Sequence, residues 1–196
     1  MLERICADPN LVPPVLLNDL QGARIAAKHC DILIQSLAAI SGNEKPGRNE
    51  PPSIKQAIKD VSEILRRKIP ETITLSSEVP DCLPLCVIPA HLLVRMLLNI
   101  LLNALEAMPK GGRICITAEP RAGKRKHIRV RVMDSGSGIK KSDMHKVCGH
   151  DFSTKGKRHG FGLFIVQWII DSFKGTMSLQ SNRGKGTIVT LELPSI

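Results

Sequence analysis

Across its 196 residues the chain carries 28 Lys and Arg against 18 Asp and Glu, a formal net charge of +10, with 42% apolar and 23% charged residues. That balance excludes a disordered tail or a fibrous repeat and leaves room for one substantial core with an appendage. No apolar run approaches the roughly 18 residues of a membrane span, and MLERICADPN lacks the basic start and apolar block of a signal peptide, so the chain as given is expected to be cytoplasmic.

After the turn-rich DPNLVPP, Leu16, Leu20, Ala23, Ala27, Cys30, Ile34 and Leu37 recur in alternating steps of four and three. That is the period of about 3.5 residues of a packed helical seam, and it predicts a helix over 16–40 that pairs with another copy of the chain or packs on the chain's own body. SGNEKPGRNEPP has linker chemistry, and a boundary is expected over 46–52. Ser53 followed by Gln56 makes a capping box for an amphipathic helix carrying Ile54, Ala57, Ile58, Val61, Ile64 and Leu65 and ending near Pro70. TITLS predicts a strand, 80–89 is irregular, and a long apolar helix is expected over 90–108, stopped by Pro109 and Gly111-Gly112. Alternation predicts strands over 113–118 and 127–133 joined as a hairpin, then a loop over 135–160, a helix over 162–173, and two strands, 177–180 and 187–193, around NRGKG. The order implies an α+β fold, a two-layer sandwich with helices on one face of a mostly antiparallel sheet, preceded by a helical segment.

Cys6, Cys30, Cys115 and Cys148 sit singly in apolar or mixed segments and read as reduced and mostly buried. Cys82, Cys86 and His91 imitate a metal site, but Leu83-Pro84-Leu85 and the lack of a fourth ligand argue against zinc. Positive charge concentrates in RAGKRKHIRVR (121–131) and over 140–158, which invites a nucleic-acid reading. With aromatics at 3% and no tyrosine there is no stacking platform for single strands, so a solvated basic face or attraction of a polyanionic ligand is the better account.

Arg95, Asn99, Asn103 and Glu106 interrupt the apolar helix over 90–108 and fall within a wedge of about 80° at helical spacing. A polar stripe on a buried helix lines a site or bonds neighbouring backbone, since an unsatisfied buried amide costs about 1 to 3 kcal/mol. The strand ending in Val132-Met133 delivers Asp134 and then SGSGI, a carboxylate beside glycines that let another molecule approach closely. Lys155 to His159 precede Gly160-Phe161-Gly162-Leu163, which opens a helix, and N–H groups at a helix start beside cations suit phosphates.

In chain order NILLNALEAM, DSGSGI, DFSTK, HGFGL and GKGT resemble the ATP-binding domain of the GHKL superfamily, with the nearest likeness to sensor histidine kinases of the nitrogen-regulation type. The resemblance covers about 53–194, and the seam helix is similar to the second helix of that family's dimerisation and phosphoacceptor hairpin. It implies an ATP-binding catalytic domain over 53–196 and a partial hairpin over 1–45. The cofactors implied are ATP and Mg²⁺. Asn103 would be the metal ligand and Asn99 would lie near the phosphates, with Glu106 completing the nucleotide-facing stripe. Asp134 would accept from the adenine amino group, and Gly136 and Gly138 would let the base and its waters sit against the backbone. Phe152, Ser153, Thr154 and Lys155 would belong to a lid, Gly160, Gly162 and Leu163 would present helix N–H groups to phosphate, and Thr187 would support the adenine pocket.

Two departures qualify the resemblance. His150-Asp151-Phe152 supplies one aromatic before the lid threonine where the family usually has two, and the accepting histidine has no counterpart, so no catalytic nucleophile is assigned in this chain. His29, beside the seam, is the remaining candidate. Asn99 stands where the ATPases of the superfamily carry a water-activating glutamate, and an asparagine cannot take a proton, so the resemblance implies a kinase. The function expected is the catalytic core of a two-component kinase transferring the γ-phosphoryl group to histidine, with a homodimer through helix 16–40, a response regulator as partner, and no nucleic acid or membrane segment. The alternative is a non-catalytic, ATP-responsive interaction module.

Overall fold

A computed structural model describes residues 53–121, 126–146 and 161–196. The seam helix, the linker, His29, Cys6, Cys30, Cys148 and the segment from Phe152 to Gly160 lie outside the described residues.

Ser53 caps α1 (Ile54–Leu65), its Oγ accepting from Gln56 N at 3.4 Å. The return half of the capping box is not formed, because Gln56 Nε2 donates instead to Asp60 Oδ1 at 2.7 Å, one turn on. Ile54, Ala57, Ile58, Val61 and Leu65 are buried, whereas Ile64 is 50% exposed and leaves the predicted apolar face. The helix stops earlier than Pro70 because Arg66 N and Lys68 N turn to the Glu63 and Leu65 carbonyls, three residues back.

β1 (Ile73–Glu78) leads through an irregular stretch to α2 (Ala90–Glu106), and β2 (Gly112–Arg121) then returns parallel to β1, with Ile73 opposite Gly112. A parallel pair needs such a crossover. β2, β3 (His127–Asp134), β5 (Thr187–Pro194) and β4 (Thr176–Ser181) pair antiparallel, giving the order β1-β2-β3-β5-β4. The observed strands run one to three residues beyond most of the predicted ends because ladder pairing carries past the apolar alternation.

Ile114, Ile116 and Ala118 of β2, Ile128, Val130 and Val132 of β3, and Val189, Leu191 and Leu193 of β5 are buried on one face. On the helical side α2 packs between α1 and α3 (Phe161–Ser172), burying Leu92, Leu93, Met96, Leu97, Ile100, Leu101 and Ala104. This is the α+β two-layer sandwich expected from the sequence. The loop after β3 contains a 3-10 helix, Lys141–Lys146, that alternation did not predict.

The other face of the sheet carries Arg121, Arg129 and Arg131, the described arginines of the first basic run, each held by a carboxylate. Arg129 Nε and Arg121 NH1 reach Glu192 Oε1 at 2.8 and 2.5 Å, while Arg129 NH1 and Arg131 NH2 reach Glu119 at 3.1 and 3.4 Å. Glu119, Arg129 and Glu192 are directly opposed across β2, β3 and β5, so the pairing follows from register. Cys115 lies on this face and is only half-buried, because the alternation that buries Ile114 and Ile116 turns it outward. Cys86 is fully buried where the 85–87 segment pairs with the end of β5, and burial pushes its thiol up to about 11.

Candidate functional site

Along α2 the buried residues face the sheet and its neighbouring helices, which leaves Arg95, Asn99 and Asn103 half-buried at one side and Glu106 exposed in the last turn. The stripe predicted from spacing is thus real. Asn99 Nδ2 is buried with no hydrogen-bond partner among the described residues. A donor orphaned in this way costs about 1 to 3 kcal/mol unless something accepts from it.

α2 ends where Ala107 N meets the Asn103 and Ala104 carbonyls, and the strand that follows hands the chain back at Asp134. Asp134 is the last residue of β3, opposite Ile114 on one side and Thr187 on the other. Its Oδ1 accepts from Gly136 N at 2.8 Å and from Thr187 N at 3.2 Å. Burial pushes the carboxyl above its ordinary range, against the opposing pull of those two N–H bonds.

The glycines beside Asp134 are closely packed by the protein's own chain. A Cβ on Gly136 would lie 2.8 Å from Ala107 Cβ and 2.9 Å from Asp134 Oδ1, and one on Gly138, at φ +63°, would lie 2.1 Å from the Asn182 carbonyl. The closeness they permit on that side is to the protein's own chain, because the loop is clamped between the end of α2 and the β4–β5 turn. Ser137 N donates to Ala107 O at 3.1 Å, and Gly184 N donates to Ser137 O at 2.7 Å.

α3 begins beside the stripe. A Cβ on Gly162 would stand 3.3 Å from Asn103 Nδ2 and 3.5 Å from its Oδ1, so the first turn of α3 lies against Asn103. One turn further along α2, Ala107 receives the loop that follows Asp134. Asn103, Gly162, Leu163, Gly136, Asp134 and Thr187 are thereby gathered around the C-terminal half of α2. Ser153, Thr154, Lys155 and Gly160 lie outside the described residues.

For a nucleotide with a hard cation, this set fits on two grounds. The orphaned Asn99 amide donor, one turn before the Asn103 that meets the start of α3, suits an anionic oxygen, and the neutral Asn103 carbonyl is the oxygen type that such a cation accepts. Cys82 is exposed and Cys86 buried, and among the described residues no group of three or more His, Cys, Asp or Glu is placed to hold a metal. Nor is any described helix long and apolar enough to cross a membrane.

Sequence reasoning missed Ser181. Its Oγ accepts from Ile139 N at 2.8 Å, donates to Gly186 O at 2.9 Å and lies 2.9 Å from Thr187 Oγ1. A serine before a glycine turn is ordinary hairpin chemistry, so nothing local marked it. Ser135 was missed too: its Oγ accepts from Arg113 N at 2.9 Å and fixes the other side of the same loop.

A family model described as histidine kinase-, DNA gyrase B-, and HSP90-like ATPase matches residues 89–196, more than half of the chain. Sensor histidine kinase ZraS of Escherichia coli (strain K12) is 36% identical over 123 residues, 62% of this chain and 26% of that protein. Sporulation kinase E of Bacillus subtilis (strain 168) is 28% identical over 153 residues, 74% of this chain and 20% of that protein. The chain therefore spans about a quarter or less of the length of these relatives. The solved catalytic domain of histidine kinase ThkA superposes with a TM-score of 0.65 at 28% identity, covering 74% of this chain and 97% of that one. With its five-stranded mixed sheet, its helical layer and the stripe on α2, the chain belongs to the histidine kinase-, DNA gyrase B- and HSP90-like ATPase family.

Proposed function

We propose that residues 53–196 bind Mg²⁺-ATP and form the phosphoryl-donating domain of a two-component sensor histidine kinase, working in the cytoplasm. The observation that carries this reading is the meeting at α2: the start of α3 lies against Asn103, and the loop after Asp134 lies against Ala107, one turn away. The start of α3 and the loop that follows Asp134 thus meet α2 one turn apart, beside each other as the phosphate and base ends of one nucleotide would need. Asp134 accepts from the exocyclic amine of adenine, which guanine replaces with a carbonyl oxygen. Its Oδ1 is occupied by two backbone N–H groups, so Oδ2 is the oxygen turned to the base.

Asn99 donates to a phosphate oxygen, which satisfies its buried amide. Gly160, Gly162 and Leu163 offer helix-start N–H groups to the phosphates, and Ser153, Thr154 and Lys155 close over them as a lid. Asn103 holds Mg²⁺, which when bound neutralises the charge that gathers on the phosphate oxygens. No group on this stripe can take a proton from water at the position of Asn99, which favours donation to another nucleophile over hydrolysis. That nucleophile is a histidine on a dimerisation helix, with helix 16–40 completing a homodimer and a response regulator as the onward acceptor.

The test is incubation of the chain with γ-labelled ATP, alone and with a separate dimerisation hairpin bearing an exposed His-Glu pair. Acid-labile phosphate on the added hairpin and none on the chain is expected, because the hairpin supplies the nucleophile that in-line transfer needs. Label on the chain that disappears in His29→Ala would reassign the acceptor. ATP binding with no transfer to any hairpin would favour the ATP-responsive interaction module.

A further inference from the structure

Thr187 is buried, with 8% exposure, and it sits beside Asp134, to whose Oδ1 its own N–H donates at 3.2 Å. Directly opposite it across β4 and β5 is Ser181. The Ser181 hydroxyl has one hydrogen and two lone pairs. Its partners leave little choice in how these are used. Gly186 O, at 2.9 Å, can only accept, so it takes the hydrogen; Ile139 N, at 2.8 Å, can only donate, so it takes one lone pair. Thr187 Oγ1, at 2.9 Å, meets what is left, the second lone pair, and must donate to it.

We infer that Ser181 is a positioning residue for base selection: it captures the hydrogen of the Thr187 hydroxyl, so that Thr187 and Asp134 together present only acceptors to the bound base. The inference rests on the nucleotide reading above. An exocyclic amine, directly or through one water, meets two acceptors and is favoured, while a base carbonyl at that place meets lone pairs and is refused. A threonine whose hydrogen is released turns and donates to the carbonyl, and the discrimination weakens. The Ser181 side chain never touches the nucleotide. It acts through Thr187, and its bond to Ile139 N also ties down the loop that follows Asp134.

The test is calorimetry of the whole chain with Mg²⁺-ATP and Mg²⁺-GTP. In Ser181→Ala the ATP-over-GTP affinity ratio is expected to fall about tenfold, the size of one hydrogen bond lost on the favoured side or gained on the other. Ser181→Thr, which keeps the hydroxyl, should return the ratio to within about twofold of the wild type. In a Thr187→Val background the same Ser181→Ala change should leave the ratio where Thr187→Val alone put it. A loop effect independent of Thr187 would instead lower the ratio in both backgrounds and overturn the inference, as would an unmoved ratio in Ser181→Ala or a failed rescue by Ser181→Thr. Should Ser181→Ala not fold, Ser181→Cys conserves the volume with a poor hydrogen-bonding group and must show the same loss. A wild-type chain that binds neither nucleotide overturns the nucleotide reading itself, whereas a selective wild type with an unmoved Ser181→Ala ratio overturns this inference alone.

Discussion

Asp134 and Thr187 stand opposite each other on paired strands, where the Thr187 N–H, the Gly136 N–H and the Ser181 hydroxyl already meet the hydrogen-bonding needs of the corner. Asn99 and Asn103 stand a turn apart on α2, and the Asn99 amide is buried with its donor unmet. One region is held in place by the protein's own hydrogen bonds; the other, on the proposed reading, keeps a donor for the ligand. A sheet ladder fixes a carboxylate to within a narrow range of positions, which is what the proposed choice between bases differing in one group would need. An orphaned donor lowers the stability of the empty protein by about 1 to 3 kcal/mol, and the ligand that satisfies it recovers that energy as affinity. On the proposed reading, selectivity and affinity fall to different ends of the nucleotide site.

The largest expected effect comes from breaking the phosphate end at its metal ligand. Asn103→Ala should lower Mg²⁺-dependent transfer to an added histidine-bearing hairpin by about a hundredfold or more, since several kcal/mol of charge stabilisation depend on the metal. Because Asn103 is only half-buried, circular dichroism and melting should stay close to those of the wild type. Asn99→Ala sharpens the contrast. It should weaken ATP by about tenfold yet leave the empty chain as stable as before or more so, because the change removes a buried donor that had no partner. A destabilised Asn99→Ala chain would mean that the amide is satisfied by the protein and that the two ends do not differ.

At the base end, Asp134→Asn keeps an acceptor oxygen for Gly136 N and Thr187 N while turning an amide N–H₂ toward the base amine. ATP affinity should fall by roughly the 1.5 to 3 kcal/mol of a charged hydrogen bond, and the preference over GTP should shrink. Calorimetry with both nucleotides reads this directly. Equal affinities for ATP and GTP in the wild type would remove Asp134 from its role.

The same carboxyl gives a smaller, pH-dependent effect whose sign separates binding from stability. Burial raises Asp134 above its ordinary value near 3.8, so the folded chain holds that proton more tightly than the unfolded one. On this group's account the stability of the empty chain is fully present below the ordinary value and is lost as the pH rises through the folded one. Nucleotide affinity runs the other way, since the amine needs an ionised acceptor. ATP affinity should therefore begin to fall at a higher pH than an unperturbed aspartate would give. In Asp134→Asn that component should vanish, so the difference between the two titrations isolates the group from the ionisation of ATP itself.

Much of this arrangement is legible in the residues. Alternation in Ile128, Val130 and Val132 placed β3, and its end placed Asp134; the steps of four in Arg95, Asn99 and Asn103 placed the stripe. Those signals are periodic and therefore local. What could not be read is where non-neighbouring segments touch. Ser181 gains its role from Ile139 and Thr187, which lie 42 residues before it and 6 after it. That Ala107 and Asn182 stand against Gly136 and Gly138 is also visible only in the folded chain. Register likewise turned RAGKRKHIRVR from a basic run into a row of arginines held by Glu119 and Glu192, neither of which lies within it.

The smallest effect tests whether the phosphate end can be stiffened from afar. α3 starts against Asn103 and ends at Ser172; two residues on, Lys174 takes φ 59° while Gly175 N closes the helix end onto Ile170 O at 2.9 Å. That left-handed conformation costs a residue with a Cβ about 1 to 2 kcal/mol, and glycine is the usual occupant of such a helix end. Glycine also loses more backbone entropy on folding, by about 0.5 to 1 kcal/mol, so the two effects oppose each other and the strain is the larger. Lys174→Gly should therefore stabilise the chain by about 0.5 to 1 kcal/mol, a rise of a few degrees in thermal melting. Lys174 lies at the far end of α3 from Gly162, so ATP affinity and the ATP-over-GTP ratio should stay the same. A changed affinity with an unchanged ratio would show that helix rigidity reaches the phosphate end alone. A changed ratio would show that the two ends are coupled through α3, and the division of labour between them would have to be given up.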